Sequence, residues 1–449
     1  MDKRRRKPIF VWQRIGKKTH NTEEAIMEEI LKRYQTAEVR EKIQANIRAN
    51  RCGDLEIAIL NGRGEPLACT EVEIRQIAHS FKFGANCFMV DELETEEKNA
   101  KYQESFAKVF NIATFPFYWN SLEPERGKPR FDKDSPRLYR RPAIDKLIDF
   151  CKENGIEPKG HCLNYEPFVP DWAKELEFSE YKAALELRMK VIAERYAEVI
   201  PDFEVMNEIL QNKSWETELR KDVQWSFTTA RKYFKHNKLI INEGNSVWDQ
   251  HMKGISPYYD LIEENLKNGV PIDGIGVQAH VMWSSKEGLD PYNLCSFFDK
   301  YANLGLPLSI TEVTIPAAYG GNNDEELQAE LLKCLYSLWF GVKGMEAIIY
   351  WNLIDGYAYG APLGDMSAGE NVHRGGLLRF DGSEKPAFKA LDALVNHEWR
   401  TDLVCTTDSR GRIAFNGFFG DYEICFKEGD QTVKRTVSLS KSSTRVQIT

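Results

Sequence analysis

Between Phe81 and about Leu394 the chain repeats one pattern, a short apolar run followed by a stretch of helical character. Eight such runs can be counted, at 81–86, 110–115, 156–164, 202–208, 238–244, 272–280, 306–313 and 347–353. Strands that alternate with helices form a parallel sheet, and eight units over ~300 residues are what a (β/α)8 barrel requires. The expected fold class is therefore α/β, a (β/α)8 TIM barrel over 80–397. The intervening helices carry their own signals: after Pro142, Ile144, Leu147, Ile148 and Cys151 line one face, and Asn154-Gly155 ends the helix.

The chain ends read differently. Residues 1–50 form a charged helical segment, in which Ile26, Ile30 and Tyr34, then Val39, Ile43 and Ile47, recur at helical spacing. Asn21, three residues before Glu24, suggests a capping box. Residues 51–79 read as a β-hairpin, with Leu55, Ile57 and Ile59 alternating before the NGRGEP turn and Val72, Ile74 and Ile77 after it. Residues 398–449 return to alternation through Ile413/Phe415 and Tyr422/Ile424/Phe426. Three strands alone are marginal, so both ends are expected to build one small accessory β-sandwich.

Composition excludes several classes of function. With 60 Lys+Arg against 68 Asp+Glu the net charge is −8, and no basic stripe suits nucleic acid as a partner. The opening MDKRRRK is read as a solvated tail. No apolar run reaches the ~18–20 residues that span a bilayer, and PIFVWQRIG is too short and polar for a signal peptide. Nine cysteines without a CxxC pair favour reduced thiols over a disulfide frame or zinc site. The expected setting is cytoplasmic, or secreted or periplasmic if the sequence has been trimmed. No feature selects an oligomeric state.

The active site of such a barrel lies at the C-terminal ends of its strands. The polar and aromatic candidates there are His161 after strand three, Asn207 and Glu208 after strand four, and Glu243 after strand five. Gln278 and His280 follow on strand six, Glu312 on strand seven, and Trp351 and Asp355 after strand eight. No group has metal-ligand spacing, and neither a GxSxG elbow nor a phosphate-binding glycine loop occurs. The expectation is chemistry by carboxylates, with no metal and no organic cofactor. Two opposed glutamates can hydrolyse a glycosidic bond, one protonating the leaving oxygen and the other attacking the anomeric carbon. Asn-Glu occurs twice, at 207–208 and 242–243, so these residues alone leave Glu208 and Glu243 tied.

Nine segments in one order resolve the tie: FKFGAN, FN with EPERG, GHCLN with PDW, FEVMNE, INEGN, IDGIGVQAH, LSITEV, YWNLID and LLRFDGSEKPAFKAL. Together they resemble the catalytic domain of glycoside hydrolase family 10, the β-1,4-xylanase family. The resemblance implies a retaining enzyme acting on carbohydrate, with Glu208 as acid/base and Glu312 as nucleophile. It further implies that Asn207 bonds the sugar 2-hydroxyl, that His280 steadies the nucleophile and that Gln278 lines the site. Glu243 is then a surface residue or a support behind the site. Trp351 suits an aromatic floor, because pyranose C–H faces are apolar.

Departures from the family pattern cluster in the substrate-gripping shell. Thr114, Phe115, Pro116, Phe117, Tyr118 and Trp119 stand where the family usually reads Glu-Asn-x-Met-Lys-Trp. Tyr165, Glu166, Pro167 and Phe168 replace Trp-His-x-Gln, Gly244 replaces a tyrosine, and Tyr359 stands for an expected tryptophan. Tyr118, Tyr165, Glu166 and Tyr359 are the expected members of the altered binding shell, and His161 is expected to bind substrate beside them. Glu166 is expected to add a third carboxylate near the pair, binding a sugar hydroxyl or cationic group and raising the pKa of the acid. A more apolar pocket favours a sugar with fewer exposed hydroxyls or a different linkage, and mild acidity suits an uncharged or weakly charged one. The alternatives are a β-glycosidase for a non-xylan glycan or glycoside, and a catalytically inactive carbohydrate-binding barrel.

Overall fold

A computed structural model describes residues 21–210, 223–244, 246–319 and 322–449. Its centre is a closed barrel of eight parallel strands, each bonded to the next in chain order and the eighth to the first. The strands are Lys82–Asn86, Ile112–Pro116, Glu157–Asn164, Asp202–Asn207, Lys238–Glu243, Gly274–His280, Leu308–Thr314 and Met345–Tyr350. Every apolar run of the sequence falls on one of them, because strands covered by helices outside and side chains inside are apolar nearly throughout. The expected helix after strand two forms over Ile144–Asn154 with Ile144, Leu147 and Cys151 buried, and Gly155 ends it in the left-handed conformation at φ 64°.

The charged N-terminal segment forms two helices, Asn21–Tyr34 and Ala37–Arg51, which bury Ile30, Tyr34, Val39, Ile43 and Ile47. They pack on Glu325–Gly341, the helix preceding strand eight. The Tyr34 hydroxyl donates to Leu289 O at 3.1 Å, and Arg33 pairs with Asp290 at 2.6 Å. MDKRRRK and the Asn21 side chain lie outside the described residues. Among those residues no helix is long and apolar enough to cross a membrane, and all nine cysteines are free.

Both chain ends supply strands to two further sheets. One has the order Arg412–Phe418, Cys52–Ile59, Arg445–Ile448; the other runs Asp402–Thr406, Glu71–His79, Gly420–Glu428, Gln431–Leu439. They share a core of Leu55, Ile57, Val72, Ile74, Phe415, Ile424 and Phe426. The hairpin expected over 51–79 does not form: its two strands enter opposite sheets, each pairing with C-terminal strands. Ile77, expected on the inner face, points outward. Strict alternation from Val72 and Ile74 turns Gln76 inward, and Ile77 is 45% exposed. Gln76 is satisfied there, donating to Phe419 O at 3.3 Å and accepting from Thr401 N at 3.1 Å. Stacked Phe83, Phe340 and Trp399 join this module to the barrel floor.

Candidate active site

Strands four, five, six and seven bring together one hydrogen-bonded group at their C-terminal ends. Glu312 is 4% exposed. Its Oε1 accepts from Gln278 Nε2 at 3.0 Å and Asn242 Nδ2 at 3.3 Å, while His280 Nε2 lies 3.3 Å from Oε2. The same Gln278 nitrogen is 2.8 Å from Glu208 Oε1, so one amide spans both glutamates. Glu208 is half-buried, just past the last residue of strand four, and its Oε2 accepts from the Tyr165 hydroxyl at 2.7 Å. Its backbone is left-handed at φ 54°, held by its N–H donating to Asn242 O at 3.0 Å. Such a conformation costs about 1–3 kcal/mol in a non-glycine residue and marks a side chain aimed by its surroundings.

Asn207 Oδ1 accepts from Asn242 Nδ2 at 2.7 Å, and Thr311 donates to Asn242 Oδ1 at 2.6 Å. The second Asn-Glu pair therefore contributes its asparagine to the site, a residue the sequence reading passed over. Glu243 is fully buried and accepts from the Leu210 and Gly244 backbone N–H groups at 2.9 and 3.0 Å; it supports the loop after strand four and is not a surface residue. His280 Nδ1 is 2.9 Å from Thr314 Oγ1, and burial holds its imidazole below the usual value. A neutral His280 can accept from Thr314 and donate to Glu312.

A second set of charges lies deeper in the barrel. Lys159 and His161 on strand three both reach Glu204 on strand four. Burial alone would raise the Glu204 carboxyl, but the Lys159 ammonium and His161 hold it down at about 2. Glu312 is pushed up to about 8, by burial and by the carboxylates of Glu208 and Glu204, against the pull of His161 and Lys159. A further carboxylate bearing on Glu312 is thus Glu204; Glu166 sits half-buried on the short turn 166–168. His161, Glu204 and Glu312 bring ligand atoms within 4.8 Å of one another. Both Glu204 oxygens are already bonded, one to the Lys159 ammonium and one to His161.

The loops after strands one, two, three and eight raise an aromatic wall. Phe88, Tyr118, Phe168 and Trp351 pack together with Tyr165. The Tyr118 hydroxyl is 3.0 Å from His161 Nε2, and Trp351 stands edge-on to His161 and Phe88 at 5.5 and 5.4 Å. Tyr359, 47% exposed, meets Phe168 at 5.4 Å. Asp355 is turned away into a buried pair with Lys385 at 2.6 Å. Trp283, which the sequence reading did not select, packs on His280 at 4.8 Å.

A family model described as Glycosyl hydrolase family 10 matches residues 75–393. Endo-1,4-beta-xylanase 1 of Arabidopsis thaliana is 27% identical over 367 residues, covering 79% of this chain and 34% of that protein. Anti-sigma-I factor RsgI6 of Acetivibrio thermocellus is 25% identical over 422 residues, covering 90% of this chain and 49% of that protein. The chain thus spans half or less of the length of these curated relatives. Xylanase 10B from Thermotoga petrophila RKU-1, solved in complex with xylobiose, superposes with a TM-score of 0.57 at 22% identity, covering 71% of this chain and 95% of that one. Native xylanase 10B from Thermotoga maritima gives the same TM-score and identity, covering 71% and 96%. These structures share the barrel fold.

Proposed function

This chain belongs to glycosyl hydrolase family 10, and on that premise we propose that it is a xylanase-like hydrolase that cleaves β-linked glycosides with retention. The observation that carries the reading is the Gln278 amide bonded to Glu208 and Glu312 at once. Carboxylates that share one donor nitrogen are closer than the ~6.5–9.5 Å an inverting enzyme leaves for water, and suit the ~5–5.5 Å of a retaining one.

The surroundings of the two glutamates divide their roles. Glu312 is the nucleophile: it is enclosed and oriented by Gln278, Asn242 and His280. Glu208 is more accessible, faces the cleft and is held at its second oxygen by Tyr165. It protonates the leaving glycosidic oxygen as Glu312 bonds the anomeric carbon. It then takes a proton from water, which attacks that carbon and frees Glu312. The raised Glu312 value means that this carboxyl holds a proton near neutrality in the free enzyme. Working protonation places that proton on Glu208. Relatives named as endo-1,4-beta-xylanases support a β-1,4-xylan substrate. The aromatic wall around Tyr118 and Phe168 supports a different sugar on that side.

Aryl β-xylosides and β-glucosides with good leaving groups test the assignment. Glu312→Ala should abolish turnover, with azide restoring it as the α-glycosyl azide. Glu208→Ala should give a burst of aryl alcohol followed by slow release, accelerated by azide to the β-glycosyl azide. Azide products of the opposite configuration would exchange the roles, and full turnover by either variant would remove the reading.

A further inference from the structure

The aromatic wall encloses cations for which the described residues provide no carboxylate. Arg140 and Arg141, in the loop after strand two, are 2% and 6% exposed. Their neighbours are provided for: Arg130 spends its donors on the Pro136, Ser121 and Arg141 carbonyls, and Arg137 pairs with Glu92 at 2.8 Å. Among the described residues, neither Arg140 nor Arg141 meets an acidic group. Arg140 bonds Tyr357 O and, at 2.9 Å, Asn352 Oδ1, leaving its Nε without a partner. Arg141 makes, among the described residues, one hydrogen bond, from Nη1 to Arg140 O at 2.8 Å.

The rings around Arg141 form an open cage. Its guanidinium carbon lies 4.3 Å from the Tyr118 ring centre, 5.3 Å from Phe88, 5.4 Å from Tyr359 and 5.7 Å from Phe168. Cation–π contacts return only part of what burying an unpaired charge costs. Burial lowers the Arg141 guanidinium to about 10, so it stays charged at neutral pH. None of its nitrogens is among the sealed polar atoms lacking a partner, and Tyr359 on one side is 47% exposed. The unused N–H edge therefore meets an opening. That opening adjoins the catalytic cleft, because Tyr118 bonds His161 and Phe168 packs at 5.3 Å on Tyr165, the donor to Glu208.

We propose that Arg141, backed by Arg140, binds an anionic substituent of the sugar beside the catalytic pair, a uronate carboxylate or a sulfate ester. This rests on the glycosidase reading and replaces the expectation of an uncharged or weakly charged substrate. A planar fork of unused donors matches either oxyanion, and the cage accounts for the aromatic residues that occupy this side of the cleft.

Binding without turnover tests it. Methyl β-glucuronide, glucose 6-sulfate and methyl β-glucoside are titrated by calorimetry into the full chain carrying Glu312→Gln. At least one anionic sugar should bind ten-fold or more tighter than the glucoside, and that advantage should shrink as NaCl rises from 50 to 500 mM. Which anion gains identifies the source. Adding Arg141→Met should remove the advantage, and Arg141→Lys should keep part of it. Equal affinity of all three sugars, or an advantage that survives Arg141→Met, overturns the proposal. Should Arg141→Met fail to fold, the anion preference and its salt dependence in the parent chain still decide. Turnover of neutral aryl xylosides with no anion preference sinks this proposal alone; anion binding in a chain that hydrolyses nothing sinks the hydrolase reading alone.

Discussion

Removing the Lys159 ammonium should unbalance the barrel interior and the active site together. Lys159 and Glu204 are 2% and 1% exposed at their side chains, so Lys159→Met leaves a buried carboxylate with only His161 as partner. Holding Glu204 at about 2 in place of its ordinary 4.5 corresponds to about 3 kcal/mol, at about 1.4 kcal/mol per pH unit. The shift is shared between Lys159 and His161 and opposed by burial, and breaking a buried pair from one side costs about 3–5 kcal/mol in general, which sets the loss expected of Lys159→Met. Because the folded value is depressed, this stability is present above pH 4.5 and is lost as pH falls toward 2. Urea unfolding at pH 7 should show the full loss for Lys159→Met, and the gap from the parent should close as pH drops below 4.5. Lys159→Met with Glu204→Gln should recover most of it, since no buried charge is then stranded. The same cycle reads out in catalysis. Lys159 pulls Glu312 down and Glu204 pushes it up, so the acidic limb of the pH–rate profile should move to higher pH in the single variant and return in the double. A loss under about 1 kcal/mol, or a double variant no more stable than the single, would refute the reasoning.

Three further outcomes follow from named contacts. Glu208→Gln removes a like charge from beside Glu312, so for an activated aryl glycoside the acidic limb should shift below about 8; an unmoved limb would show the groups uncoupled. Tyr165→Phe deletes the 2.7 Å bond to Glu208, a charge-assisted contact worth about 1.5–3 kcal/mol. kcat/KM should fall roughly ten- to hundred-fold for a poor leaving group and less for a good one. Gly276→Ala would place a methyl 2.5 Å from Asn242 Oδ1 and 2.7 Å from Thr311 Cγ2. It should cost about 1–3 kcal/mol in thermal or urea unfolding and slow turnover by displacing Asn242 from Glu312.

The barrel was legible because helix-covered parallel strands are apolar almost throughout, so Phe203, Ile241 and Ile310 announce their strands without long-range information. The β-module was legible as strands and not as pairings. Cys52–Ile59 and Glu71–His79 are close in sequence, but their partners lie over 300 residues away, and alternation says nothing of which strand meets which. Gln76 shows the same limit on a single residue: period two places it inward, while its polarity argues outward. At the site, Glu208 and Glu312 were marked by strand ends and a family pattern. Glu204 and Lys159 were hidden inside apolar runs, although Lys159 and His161 two apart on one strand, with a carboxylate on the next, is a readable signal for an internal ion pair. Arg141 had no such signal, because a loop residue's place depends on rings contributed by four separate loops.

The central claim is double displacement by Glu208 and Glu312, and the anomeric configuration of the first product measures it most directly. Proton NMR during hydrolysis of an aryl β-glycoside, before mutarotation, should show the β-anomer appearing first and the α-anomer only as the sugar equilibrates. The α-anomer as first product would mean a single displacement by water, and the assignment of Glu312 as nucleophile would be wrong.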